Sequence, residues 1–171
     1  GNDSLTGSVS NDVLLGEAGD DSISGEFGDD LINGGDGDDS IRGAGGRDTV
    51  LGGAGNDHVY GQGASDTVGG GPGDDVIDGG EGFSVLREDI NGDLTLTNPS
   101  GTPILTGAGM DTLIGTYTGA ILIGGDAANR IDASGYTNPT TILGGGGNDT
   151  IFGGMLADVI DGGAGNDSIL G

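Results

Sequence analysis

The chain has 171 residues, of which 43 are glycine, and it contains no cysteine, tryptophan or lysine. Acidic residues number 28 against four arginines, a formal net charge of -24, which leaves no basic surface for nucleic-acid phosphates or anionic membranes. No stretch approaches the roughly 20 apolar residues of a membrane-spanning helix, and there are no disulfides to staple a small core.

Such acidity with so few aromatics ordinarily means disorder. A nine-residue period argues against it. The unit reads glycine-glycine-x-glycine-x-aspartate-x-aliphatic-x, and counted from Gly7 it restarts at 16, 25, 34, 43, 52, 61, 70 and 79. Its sixth position is Asp12, Asp21, Asp30, Asp39, Asp48, Asp57, Asp66 and Asp75, with Asp3 in phase ahead of them. The eighth is Leu5, Leu14, Ile23, Ile32, Ile41, Val50, Val59, Val68 and Ile77. Disordered acidic tracts do not space aliphatic residues this way. The clearest copies are GGDGDDSIR from Gly34, GGAGNDHVY from Gly52, GGPGDDVID from Gly70, GGGGNDTIF from Gly144 and GGAGNDSIL from Gly162.

A unit this short buries nothing alone, so the repeats must stack. The glycine-rich opening of each unit reads as a turn and its x-aliphatic-x ending as a short strand, in which only the eighth side chain points inward. Two units make one full coil, so turns two repeats apart share an edge.

The period lapses from about Phe83 to Leu105, where FSVLRED and DLTLTN flank Asn91 and Gly92, a hairpin signal. Asn98-Pro99 and Thr102-Pro103 mark turns. The phase returns at Thr106 with Asp111, and at Gly124 with Asn129 in the aspartate place. The stretches 115–123 and 133–143 read as coils without the aspartate turn. Three good repeats close the chain, with Asp149, Asp158 and Asp167. The division is therefore 1–82 for the main array, 83–105 for a hairpin or irregular insertion, 106–143 for degenerate coils and 144–171 for the last repeats. The chain opens inside one repeat and closes just after another, which reads as a segment of a longer protein.

Stacked carboxylates beside bare glycine carbonyls are a donor set for calcium, a hard cation that takes six to eight oxygens. One turn supplies about half of that shell and the turn two repeats later the rest. On one edge this pairs Asp12 with Asp30, Asp30 with Asp48, and Asp48 with Asp66. On the other it pairs Asp3 with Asp21, Asp21 with Asp39, Asp39 with Asp57, and Asp57 with Asp75. Asp149 pairs with Asp167, Asp158 is a ligand short of a partner, and Asp111 with Asn129 is a weaker pair. About seven to eight calcium ions are expected. The fifth-position residues Asp20, Asp29, Asp38, Asn56, Asp74, Asn148 and Asn166 are candidates to add ligands or to cap the turn. Two aliphatic side chains per coil bury too little to offset the ordering of two glycine-rich repeats. The metal-free chain is thus expected to be largely unfolded, and calcium to fold it.

These residues resemble the hemolysin-type calcium-binding repeats of the RTX family, whose signature is GGxGxDxUx. The match is close over 1–82 and 144–171 and looser between. The resemblance implies an all-β, right-handed parallel β-roll solenoid with calcium between neighbouring turns and a degenerate middle that binds none. It also implies type I secretion from a Gram-negative cell and folding outside it.

Enzymatic constellations are absent: there is no HExxH, GxSxG or P-loop, and His58, the single histidine, falls at an outward strand position. Asp89 to Asp93 imitates the start of an EF-hand loop, but Ser100 stands where the bidentate glutamate belongs. The glycosylation-like triplets at Asn2, Asn148 and Asn166 are by-products of the repeat, and no threonine array marks an ice-binding face. The reading is a non-enzymatic, monomeric, extracellular calcium module whose other partners are the flanking domains of its parent. The alternatives are the calcium roll of a secreted protease or lipase, with catalysis elsewhere, and a spacer or binding region of a surface adhesin.

Overall fold

A computed structural model describes residues 1–89, 94–97, 104–106, 110–114 and 117–171. Among them every regular element is a strand. Successive x-aliphatic-x segments alternate between two sheets, because a glycine-rich turn reverses the chain once in every repeat. The first sheet stacks β1 (Ser4–Thr6), β3 (Ser22–Ser24), β5 (Ser40–Gly45), β7 (His58–Gly63) and β9 (Val76–Asp78). It continues through β13 (Met110–Ile114), β12 (Ile104–Thr106) and β11 (Leu94–Thr97) to β15 (Arg130–Gly135), β17 (Thr150–Phe152) and β19 (Ser168–Leu170). The second stacks β2 (Val13–Ala18), β4 (Leu31–Asp36), β6 (Thr49–Ala54) and β8 (Thr67–Gly69). Above these lie β10 (Ser84–Asp89), β14 (Tyr117–Ile123), β16 (Thr140–Leu143) and β18 (Val159–Asp161).

Pairing is parallel through the array, each strand meeting the one two repeats further on. Leu5 faces Ile23, then Ile41, Val59 and Ile77. Leu14 faces Ile32, then Val50, Val68 and Leu86 in the other sheet. From Ile23 and Ile32 onward these residues are fully buried and form the core between the sheets. The chain is a parallel β-roll, as the period predicts.

Two local expectations change. Strands β2, β4, β5, β6 and β7 run well beyond the three-residue x-aliphatic-x segment, reaching into the glycine-rich turn. The turns are themselves laddered: Gly37 N–H donates to the Ala54 carbonyl at 2.7 Å, and Gly55 N–H to the Pro72 carbonyl at 2.9 Å. Nor is the eighth position alone inward. The sixth lies two places before it, on the same face of the strand, so Asp21, Asp30, Asp39, Asp48, Asp57, Asp66 and Asp75 are all buried.

The turn conformation explains the glycines. Gly35 and Gly37, second and fourth in their repeat, have φ of 114° and 134°, a region side chains disfavour. Where the sequence departs from glycine at these positions, as at Gln62 and Ala64, φ is still 73° and 72°.

The predicted hairpin between 84–89 and 94–97 is not formed. Strand β10 continues the stack, with Val85 and Leu86 beside Thr67 and Val68, and then pairs in parallel with β14. Strand β11 belongs to the opposite sheet, beside β15. The apolar Leu86 gains a place in the aliphatic column by staying in phase, which an antiparallel pairing would forfeit. Antiparallel pairing occurs one connection later, with Leu96 facing Leu105 and Leu105 facing Asp111. The Asn91-Gly92, Asn98-Pro99 and Thr102-Pro103 turns lie outside the described residues.

Within the stretches 115–123 and 133–143, β14 pairs in parallel with β16, and β16 with β18. Their interior is filled differently. Buried Tyr117 and Tyr136 occupy it, and the Tyr117 hydroxyl donates to the Ile77 carbonyl at 3.1 Å.

Candidate metal centre

From Asp21 to Asp75, and again at Asp149, the sixth-position aspartate leaves a glycine-rich turn and enters a strand with its carboxylate buried. One oxygen is used the same way along both edges. Asp3, Asp21, Asp39 and Asp57 N–H donate to Oδ1 of Asp21, Asp39, Asp57 and Asp75 at 2.7–2.8 Å. Asp12, Asp30 and Asp48 N–H donate to Oδ1 of Asp30, Asp48 and Asp66 at 2.8, 2.9 and 3.0 Å. Asp149 N–H donates to Asp167 Oδ1 at 2.9 Å. The pairs expected from the spacing are thus brought together, each carboxylate reaching back one coil.

The second oxygen is different. Oδ2 of Asp21, Asp30, Asp39, Asp48, Asp57, Asp66 and Asp149 is buried and has no hydrogen-bond partner. Such atoms are costly to keep, because a buried acceptor that meets no donor loses its hydration without return. They do not lie alone. A Cβ placed on Gly25 would fall against Asp30 Oδ2 and 2.7 Å from the Gly43 carbonyl oxygen. One on Gly144 would fall 2.6 Å from Asp149 Oδ2 and 2.5 Å from the Gly162 carbonyl oxygen. A carboxylate oxygen and the carbonyl of the next turn therefore converge on one volume, which only glycine leaves open.

Burial and like charge act on these groups together. Asp57 is pushed up to about 7 and Asp66 to about 6, chiefly by burial, with neighbouring aspartates adding to the rise and the backbone N–H opposing it. Asp39 and Asp48 are raised for the same reasons. Two oxygens aimed at each other without a positive partner fit a divalent cation with a preference for oxygen. Among the described residues no three acidic or histidine side chains converge, so a hard-cation shell at these turns must draw on backbone carbonyls.

Other candidates take other roles. The fifth-position side chains run a second ladder in the opposite direction: Asn56 N–H donates to Asp38 Oδ1 at 2.8 Å, Asp74 N–H to Asn56 Oδ1 at 2.9 Å, and Asn166 N–H to Asn148 Oδ1 at 2.8 Å. They cap the next turn. Asp12 Oδ2 accepts from the N–H and hydroxyl of Ser8 at 2.7 and 2.9 Å. Asn129 N–H donates to Asp149 Oδ1 at 2.8 Å, twenty residues on where the other pairs are eighteen apart, and Asn129 Oδ1 accepts from Gly125 N–H at 3.0 Å. The side chain of Asp111 lies outside the described residues. Asp158, expected as a ligand short of a partner, accepts on both oxygens, from Thr140 and from Gly154 N–H. His58 is exposed on β7, as its strand position implies.

Three residues that the repeat pattern passes over occupy its key places. Ser84 and Thr140 lie in the aspartate phase, two repeats away from Asp66 and Asp158 respectively. Glu88, two repeats after Gly70, is buried and accepts from Gly70 and Gly71 N–H at 2.9 and 3.0 Å. Extending the count of nine past Asp75 finds Ser84 and Glu88, and counting back nine from Asp149 finds Thr140.

The family model for the RTX calcium-binding nonapeptide repeat (4 copies) matches residues 1–32, 24–59, 33–68, 51–86, 123–159 and 134–169. No curated protein matches the chain. The matched segments span well over half of the sequence and include every turn whose carboxylate keeps a bare inner oxygen. The chain belongs to the RTX calcium-binding nonapeptide repeat family, and its β-roll is a structural calcium-binding module.

Proposed function

We infer that this roll is a folding and stabilising module of a larger secreted protein, non-enzymatic itself, which orders when it meets extracellular calcium. The observation that carries this reading is the column of buried aspartate oxygens with no hydrogen-bond partner. The residues proposed as ligands are Asp21, Asp39, Asp57 and Asp75 with Asp3 on one edge, Asp30, Asp48 and Asp66 with Asp12 on the other, and Asp149 with Asp167 near the end. Each coil interface is read as one site, drawing on the two aspartates and the glycine carbonyls between them. A bound cation supplies the positive charge that the carboxylates and carbonyls lack. The protein supplies the oxygens, holds them two repeats apart in sequence but adjacent in space, and keeps side chains out of the gap.

Without a cation the stacked carboxylates repel one another and the glycine-rich backbone is costly to order. Extracellular calcium modules work at about 10⁻⁴ to 10⁻³ M, above the calcium of a cytosol. Such a chain stays unfolded inside a cell and folds outside, which suits export through a narrow channel. Calcium titration of the chelator-stripped chain, followed by far-ultraviolet circular dichroism and calorimetry, tests this. A cooperative coil-to-strand transition with several ions bound, and none with magnesium, is expected. Full strand signal before calcium is added would overturn the folding switch.

A further inference from the structure

The edge from which the second sheet's strands begin carries Asp12, Asp30, Asp48 and Asp66, then Ser84, then Tyr117 at the start of β14, and then Thr140 and Asp158. Ser84 is buried, and its Oγ accepts Asp66 N–H at 3.2 Å, the bond that a carboxylate Oδ1 makes one coil earlier. The same Oγ donates to the Gly79 carbonyl at 2.9 Å. A carboxylate has no proton to give that carbonyl. Ser84 therefore holds both the Asp66 N–H and the Gly79 carbonyl from within the chain, and leaves the bare Asp66 Oδ2 with no second carboxylate across the interface.

Thr140 answers the same need from the other side. Its N–H and hydroxyl donate to Asp158 Oδ1 at 2.8 and 2.7 Å, while Gly154 N–H donates to Oδ2 at 2.7 Å. The carboxylate of Asp158 is thus met by three protein donors across both oxygens. Asp149, in a turn on the opposite edge, keeps a buried oxygen with no hydrogen-bond partner.

We propose that Ser84 and Thr140 are hydroxyl closures that end the calcium column on this edge. It takes calcium only as far as Asp66, the turns beyond fold without metal, and the calcium near the chain's end sits on the opposite edge, at Asp149 and Asp167. The proposal rests on the reading that the paired aspartate turns hold calcium.

The test is calcium stoichiometry, by calorimetry on the full chain with calcium chloride alone, for wild type, Ser84→Asp and Asp158→Asn. Ser84→Asp is expected to bind one more calcium per chain than wild type, because it returns a carboxylate to the coil above Asp66. Asp158→Asn is expected to bind the same number as wild type. A folded Ser84→Asp chain with unchanged stoichiometry, or loss of one calcium in Asp158→Asn, would overturn the proposal. If Ser84→Asp does not fold in calcium, Asp158→Asn decides alone, being nearly isosteric. A wild-type chain that binds no calcium would instead sink the reading beneath it.

Discussion

Asp39 N–H donates to Asp57 Oδ1 at 2.8 Å, and the other oxygen of Asp57 is buried with no partner. The two aspartates lie two repeats apart, and the bond links neighbouring coils of one edge. The interaction is half complete: one carboxylate oxygen holds the stack together, and its twin faces inward beside glycine carbonyls. The same division recurs at Asp21, Asp30, Asp48 and Asp66.

Asp39 sits between Asp21 and Asp57 and so contributes to two coil interfaces. Asp39→Ala is expected to lower calcium stoichiometry by two and to raise the calcium concentration at the folding midpoint. Asp39→Asn keeps an Oδ1 acceptor for Asp21 N–H but loses the charge, and should lose calcium with less damage to the metal-free stack. An unchanged ion count in both would reject the pairing of turns.

Acid should act on the metal-free chain and on the calcium-bound chain in opposite directions. The carboxyl of Asp57 is raised from 3.8 to about 7, and that of Asp66 to about 6, so the folded chain holds protons there that the unfolded chain has released. Stability of the metal-free roll is therefore lowest above about pH 7 and rises as the pH falls through 7 and 6, until the unfolded chain also takes up protons. Calcium must displace those same protons, so its apparent affinity falls across this window. Strand signal of the stripped chain should increase between about pH 8 and pH 5 while the calcium midpoint moves upward. Metal-free signal that instead declines on acidification would show the aspartates are not strained by burial.

Glycine is needed for two separable reasons, and two substitutions distinguish them. Ala64 holds a φ of 72° at a position where the repeat has glycine. Ala64→Gly relieves a left-handed alanine and is expected to stabilise the calcium-bound roll by about 1 kcal/mol, part of the gain being returned as extra freedom in the unfolded chain. Gly61→Ala should do the reverse, because its Cβ would press on Asp66 Oδ2 and the Gly79 carbonyl. Thermal melts in saturating calcium, with calcium counts beside them, give both signs.

Core truncation should be felt locally. Ile41 is fully buried between Ile23 and Val59 in its column. Ile41→Ala is expected to cost about 2 to 5 kcal/mol in calcium, whereas His58→Ala, on an exposed strand position, should stay within about 0.5 kcal/mol. Denaturant melts of the two variants make the comparison.

The nine-residue period alone determined the two-sheet roll, the two-repeat step between stacked strands, the aliphatic column and the phase of the aspartates. It could do so because a stacked solenoid repeats one local interaction, and every copy of the unit states it again. Where the unit lapses, the sequence lost its redundancy. Alternation around Asn91-Gly92 describes a hairpin as well as two strands in opposite sheets, and only the place open to Leu86 beside Val68 decided between them. Tertiary structure also decided which oxygen of each aspartate is free. Period and spacing place a carboxylate at an edge but say nothing of its donors, which come from another coil: Asp48 for Asp66, Thr140 for Asp158. For the same reason Ser84 reads as a lost repeat in the sequence and as a closed turn in the fold, since its acceptor and its donor meet only when the coils stack.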